Sequence, residues 1–127
     1  MIYPPVFEVC ASYQPLTALL GNAPVRLYLF GVAERLPQPP QRPYAVWQQV
    51  GGAPENYVGD RPDSDEWAIQ FDVYAETVTE AREVAAAVRD AIEGVAYVET
   101  WVDDSIDPPT QLKRFTFTTS WQTSRLG

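Results

Sequence analysis

The chain has no histidine, one cysteine and no long apolar run. Each absence removes a class of function. Without histidine there is no ordinary general base near neutral pH, no Ser-His-Asp arrangement, and not the commonest transition-metal ligand. Cys10 alone cannot close an internal disulfide, which fits synthesis in a cytoplasm. It also lacks the histidine partner that a cysteine nucleophile uses. No stretch reaches the roughly 18 apolar residues of a transmembrane helix, so no membrane association is expected. The opening MIYPPVFEVC carries prolines where the apolar core of a leader would run and no basic residue before it, so no signal peptide is expected. Basic residues are scarce, nine against seventeen acids for a net charge of -8. That balance argues against bulk affinity for DNA, which depends on neutralising phosphates.

What is present is a folding sequence. Its 127 residues are 46% hydrophobic and 13% aromatic, which predicts one folded domain over residues 1–127. Charge is unevenly placed. Fifteen acids lie between Glu55 and Asp107 against Arg61, Arg82 and Arg89. Outside that span, Glu8 and Glu34 face Arg26, Arg35, Arg42, Lys113, Arg114 and Arg125. Such a division is either ordinary solvated surface or a two-signed molecule whose copies meet basic patch to acidic patch.

Periodicity places the elements. PPVFEVCASY reads as a helix start with Val6, Val9, Cys10 and Tyr13 on one stripe, and Pro15 interrupts or restarts it before Gly21. VRLYLFG reads as a short strand, and residues 31–43 as an extended, proline-rich connection. Strands are expected at about 44–50 and 66–76, the second with Trp67, Ile69, Phe71, Val73 and Ala75 on one face. Residues 77–93 form a helix opened by Thr77 and Glu80 as a capping box and closed at Gly94. Its apolar stripe is Val78, Ala81, Val84, Ala85, Val88 and Ile92. Two more strands, about 96–103 and 112–123, complete the order α-β-β-β-α-β-β. The predicted fold is α+β, a mostly antiparallel sheet of about four to five strands with helices packed on one face.

No residue pattern carries chemistry. Asp60, Asp63, Asp65 and Glu66 crowd one turn, and Asp103, Asp104 and Asp107 another, but neither follows a calcium-loop spacing. Solvated turns account for both, so no catalytic, metal or cofactor-binding residue is assigned. The aromatics on strands, Trp47, Trp67, Trp101 and Trp121 with Tyr28, Tyr44, Tyr74 and Tyr97, exceed what one packed face absorbs, and the remainder suggests an interface. The stretch 51–64, rich in Gly, Pro and acids, is expected as a long hairpin loop or arm ordered by contact with another chain. Candidate interface residues are Tyr57, Val58, Asp60, Arg61, Asp63 and Arg42.

One resemblance spans nearly the whole chain. LTALLGN leads to VRLYLFG and PYAVWQ, then to IQFDVYAET, with EAREVAAAVRDAI directly after it and two terminal strands. This order is similar to the tail-completion, or tail-terminator, proteins of long-tailed bacteriophages. The resemblance implies a structural virion protein made in the host cytoplasm and placed at the head-proximal end of the tail. It implies a ring of copies, typically six, that stops tube polymerisation and presents a surface to the head connector. The partners would be self, the tube protein and the connector protein, with DNA only passing through the lumen. The rivals are another head-tail connector component and a small acid-cluster enzyme or cation-binding domain.

Overall fold

The computed structural model describes residues 2–57 and 60–124, with the side chains of residues 54–63, 102 and 103 outside that description. Two short helices open the chain, α1 at Val6–Ala11 and α2 at Gln14–Leu20. Pro15 sits in the first turn of α2, where its missing N–H costs nothing. Pro15 thus restarts the helix rather than kinking it. α2 ends at Gly21, whose φ of 86° is open to a residue without a Cβ and whose N–H reaches Thr17 O at 2.7 Å.

Five strands form one mixed sheet: β1 (Leu27–Leu29), β2 (Tyr44–Tyr57), β3 (Asp60–Ala75), β4 (Ala96–Ile106) and β5 (Lys113–Ser124). They lie in the order β1-β2-β3-β5-β4, with β1 parallel to β2 and the other pairs antiparallel. The third helix, α3, spans Val78–Ile92 between β3 and β4. The α+β architecture, the element order and the helices on one side agree with the sequence reading. The connection before β2 is less extended than expected, because Ala33–Arg35 closes a 3-10 turn and Ala33 is buried.

α3 begins where Thr77 Oγ1 accepts the Glu80 N–H at 3.1 Å. Its end differs from expectation. Glu93 caps it in a right-handed conformation, and Gly94 does not adopt a positive φ. The stripe Ala81, Val84, Ala85, Val88 and Ile92 is buried, with Ala87 beside it and Val78 half-buried. It packs on a sheet face where Phe71 and Phe117 stack at 5.1 Å between centroids. Cys10, wholly buried, belongs to the same core, and burial pushes its thiol up to about 12.

The stretch at 51–64 departs most from expectation. Among the described residues it is paired strand: β2 and β3 run on as a ribbon, with Gly51 opposite Ala68, Pro54 opposite Asp65 and Tyr57 opposite Asp60. Val58 and Gly59 lie outside the described residues. The glycines and prolines read as breakers occupy places where an edge ribbon tolerates them. A bulge falls between Gln49 and Gly51, and Gly52 has a φ of 142°. A Cβ there would meet Glu66 O at 2.5 Å, so the close strand approach requires glycine.

Candidate assembly surface

The register sorts the aromatic residues by face. Trp47 opposes Phe71, Trp67 opposes Trp121, and Trp101 opposes Phe117, so all four tryptophans share the helix-packed face. The two buried indoles find partners there: Trp67 Nε1 donates to Thr123 Oγ1 at 2.8 Å and Trp121 Nε1 to Thr119 Oγ1 at 2.9 Å. Thr119 in turn donates to Ile69 O at 2.9 Å. Burying an indole without such a partner would cost the desolvation of its N–H. Tyr28, Tyr44, Tyr74 and Tyr97 lie on the opposite face, with Tyr28 beside Val46, Tyr44 beside Tyr74 and Tyr97 beside Ser120. Strand alternation thus assigns one aromatic set to the core and leaves the other at the surface.

Among the described residues no α-helix packs on that second face, and the 3-10 turn and proline-rich segment come against Tyr44 at one end of it. The face is a polar lattice: Gln48, Gln70, Thr118 and Thr100 lie in one row, and Val46, Asp72, Thr116 and Asp103 in the next. Thr116 Oγ1 donates to Asp72 at 2.7 Å, and Gln70 donates to the same carboxylate at 3.3 Å. At one end, the Tyr44 and Tyr74 rings stack at 4.9 Å with Tyr28 edge-on to Tyr44 at 6.3 Å. Burial pushes the Tyr44 phenol up to about 12, helped by Tyr74, Asp107 and Glu34 and opposed by Arg42. Burial, then Asp72, also raises the Tyr74 phenol, while Arg114 holds it down. Arg114 donates to Ser105 Oγ at 3.1 Å and lies 3.9 Å from Asp107.

The sequence-level interface residues separate into two groups. Tyr57 and Asp60 are paired partners at the end of the ribbon, with Arg61 and Asp63 following on β3. Their side chains, and all of Val58, lie outside the described residues. Arg42 precedes β2 at the other end, where it pairs with Glu76 at 3.5 Å. Fourteen strand residues separate it from Tyr57's end, on the order of 40 Å at ordinary strand rise. The structure therefore does not bring Arg42 to the ribbon tip.

Of the acid clusters, the side chains of Asp60, Asp63 and Asp103 lie outside the described residues. Asp104 pairs with Arg82 from α3, and Asp107 accepts from Thr110 at 2.6 Å within its turn. Among the described residues, no group of three or more cysteine and carboxylate side chains is placed to hold a metal ion. Two depressions are open hollows of about 290 and 300 Å³, one between Tyr3, Gly52 and Trp67 and the other beside Tyr97 and Trp121. Sequence reasoning missed the edges of the sheet. Leu29, Phe30 and Val32 flank β1, Val50 sits at the β2 bulge, and Val95, Tyr97, Trp101 and Ile106 run along β4, all exposed. Arg89 lies 5.7 Å from the Trp101 ring and within 3.6 Å of Glu93. The missed signal was position: an apolar residue on an edge strand looks like any core residue until the strand order is known.

The family described as tail completion protein gp17 matches residues 6–124. No curated protein is similar in sequence. Among solved structures, a chain of the virion of a native gene transfer agent particle is similar with a TM-score of 0.68 and 14% identity, over 94% of this chain and 91% of that one. The gp17 protein of bacteriophage SPP1 is similar with a TM-score of 0.53 and 16% identity, over 96% of this chain and 88% of that one. At these identities the two structures bear on the fold alone.

Proposed function

The chain belongs to the tail completion protein gp17 family, and from that premise we propose that it caps the head-proximal end of a phage tail tube as a ring of copies. It is a structural protein of the virion tail, not an enzyme. Capping would stop tube polymerisation and present a surface for the head connector, and six copies is the number the family resemblance implies. The observation that carries the reading is the family match over residues 6–124, nearly the whole fold. The fold's equipment suits the role, since among the described residues its distinctive surfaces are a polar sheet face without an α-helix, the β2–β3 ribbon and two open sheet edges. The hollows beside Tyr3 and beside Tyr97 are open, not enclosed.

A ring also accounts for the charge. A lumen lined by the open face would present Gln48, Gln70, Asp72, Thr116 and Thr118 to passing DNA, with Arg114 at its margin. Such a surface offers few cations to phosphate, so DNA would move through without being held. The ribbon is the element available to reach a neighbour or the tube.

A second reading, another head-tail connector component, uses the same surfaces on the connector side of the joint. Electron microscopy of particles made without this protein separates the two. Tails of irregular, extended length without heads are expected. Tails of normal length that merely lack heads would replace capping with the connector reading, and normal, headed particles would overturn both.

A further inference from the structure

Both lateral edges of the sheet are open among the described residues. β1 pairs with β2 only at Ala45, Val46 and Trp47, so no strand covers the outer side of β2 from Gln48 onward. On the other side β4 is the last strand and pairs only with β5. An open edge is a row of unpaired N–H and C=O groups, which proteins acting alone usually blunt with charge or cover. Here the edges carry apolar side chains. Leu29, Phe30, Val32 and Val50 are 43%, 59%, 43% and 46% exposed on one, and Val95, Tyr97, Trp101 and Ile106 are 55%, 58%, 42% and 53% exposed on the other.

The edges also differ in charge. The segment leading into and out of β1 holds Arg26, Arg35 and Arg42 against Glu34. Arg42 is paired with Glu76 and Arg26 is bonded to Pro43 O and Leu19 O, which leaves Arg35 as the base this edge offers a neighbour. From Glu93 to Asp107 the β4 edge holds Glu93, Glu99, Asp103, Asp104 and Asp107 and no base. Among the described side chains, Arg82 pairs with Asp104, Arg89 with Glu93 and Arg114 with Asp107. Among the described residues, Arg35 and Glu99 are exposed with no ion-pair partner.

We infer that the β1–β2 edge of one copy docks on the β4 edge of a second copy, head to tail. The occupant follows from the pairing of opposites. Each edge offers what the other lacks in charge, both expose apolar side chains, and both have unpaired backbone. Because the two surfaces differ, the contact is heterologous and repeats from copy to copy until it closes. The inference rests on the ring proposed above and names the surfaces that the ring would use.

Sedimentation of the purified chain, Phe30→Asp and Tyr97→Asp tests it. Both side chains are more than half exposed, so the core is untouched. The unaltered chain is expected to form species beyond a dimer as concentration rises, and each variant to stay monomeric. Mixing the variants should give a dimer and nothing larger, since one intact pair of edges remains. Either variant associating like the parent, or a mixture that stays monomeric, overturns the contact. So does a parent chain that is monomeric throughout, and the tail-length measurement then decides the tail-end role independently. If an Asp variant fails to fold, Arg35→Glu and Glu99→Lys take its place. Each alone should weaken association about tenfold and the double variant recover it, and no weakening or no recovery overturns the contact.

Discussion

At the residue scale, three positions are held by packing in ways that sequence cannot weigh. Cys10 and Tyr44 keep their protons because burial disfavours the charged form. The thiol rises from 9.0 to about 12 and the phenol from 10.0 to about 12. An unfolded chain would ionise both groups at lower pH than the folded one. Their contribution to stability is therefore complete below pH 9.0 and is lost as pH rises toward about 12. Melting temperature is expected to be flat from pH 7 to 8, then to fall, and Cys10→Ala should flatten the first part of that fall. A variant with the parent's alkaline slope would show that Cys10 is not the group involved. Gly21 is the third position. A Cβ there would meet Arg26 Nη1 at 2.8 Å and Pro24 O at 3.2 Å, on a backbone with φ of 86° and ψ of 167°. Arg26 is not free to retreat, since it donates to Pro43 O at 2.9 Å and Leu19 O at 3.1 Å. Gly21→Ala should cost about 1–3 kcal/mol in urea unfolding, and an unchanged midpoint would contradict the clash.

Among the elements, the β2–β3 ribbon is separable from the core. Among the described residues, the pairing of β3 with β5 starts at Ser64 opposite Ser124, and Asp60 beyond it pairs with Tyr57 of β2 alone. Two strands paired only with each other are marginally stable in water, so this end contributes little to holding the fold together. Replacing residues 54–65 with Asn-Gly joins Ala53 to Glu66, which are already cross-strand partners. The shortened chain is expected to melt within a few degrees of the parent while tail completion is lost. Headed tails of normal length made with it would remove the ribbon from the assembly surface. A collapse of stability would instead show that the ribbon supports Trp67 and the N-terminal segment, where Thr123 Oγ1 donates to Ile2 O at 3.1 Å.

For the whole molecule, charge sign is arranged across the sheet, not scattered. The base-bearing segment flanks β1 and the acid-bearing segment is β4, with three strands between them. Attraction between such edges is screened by salt, to a range of about 3 Å at about 1 M. Self-association measured by sedimentation should therefore weaken as salt rises, with the apolar side chains sustaining a residual part. Association strengthened by salt would mean that apolar burial dominates and the charges matter little.

Local patterning by itself determined the element order, the core face of β3 and the stripe of α3. Those depend on periods of two and 3.6 that any buried strand or helix must obey. Trp67, Ile69, Phe71, Val73 and Ala75 are all buried, as their alternation requires. The Thr77 cap was equally legible, since it involves a contact three residues away. Tertiary structure alone decided the ribbon, because Gly and Pro break strands by local propensity and are tolerated where one edge lacks a partner. It also decided which aromatic residues face outward and that the basic and acidic segments lie on opposite edges. Those outcomes depend on the order β1-β2-β3-β5-β4, which long-range pairing sets and no local pattern encodes. The separation of Arg42 from the ribbon tip has the same origin, because a strand's length is fixed by the partner it continues to find.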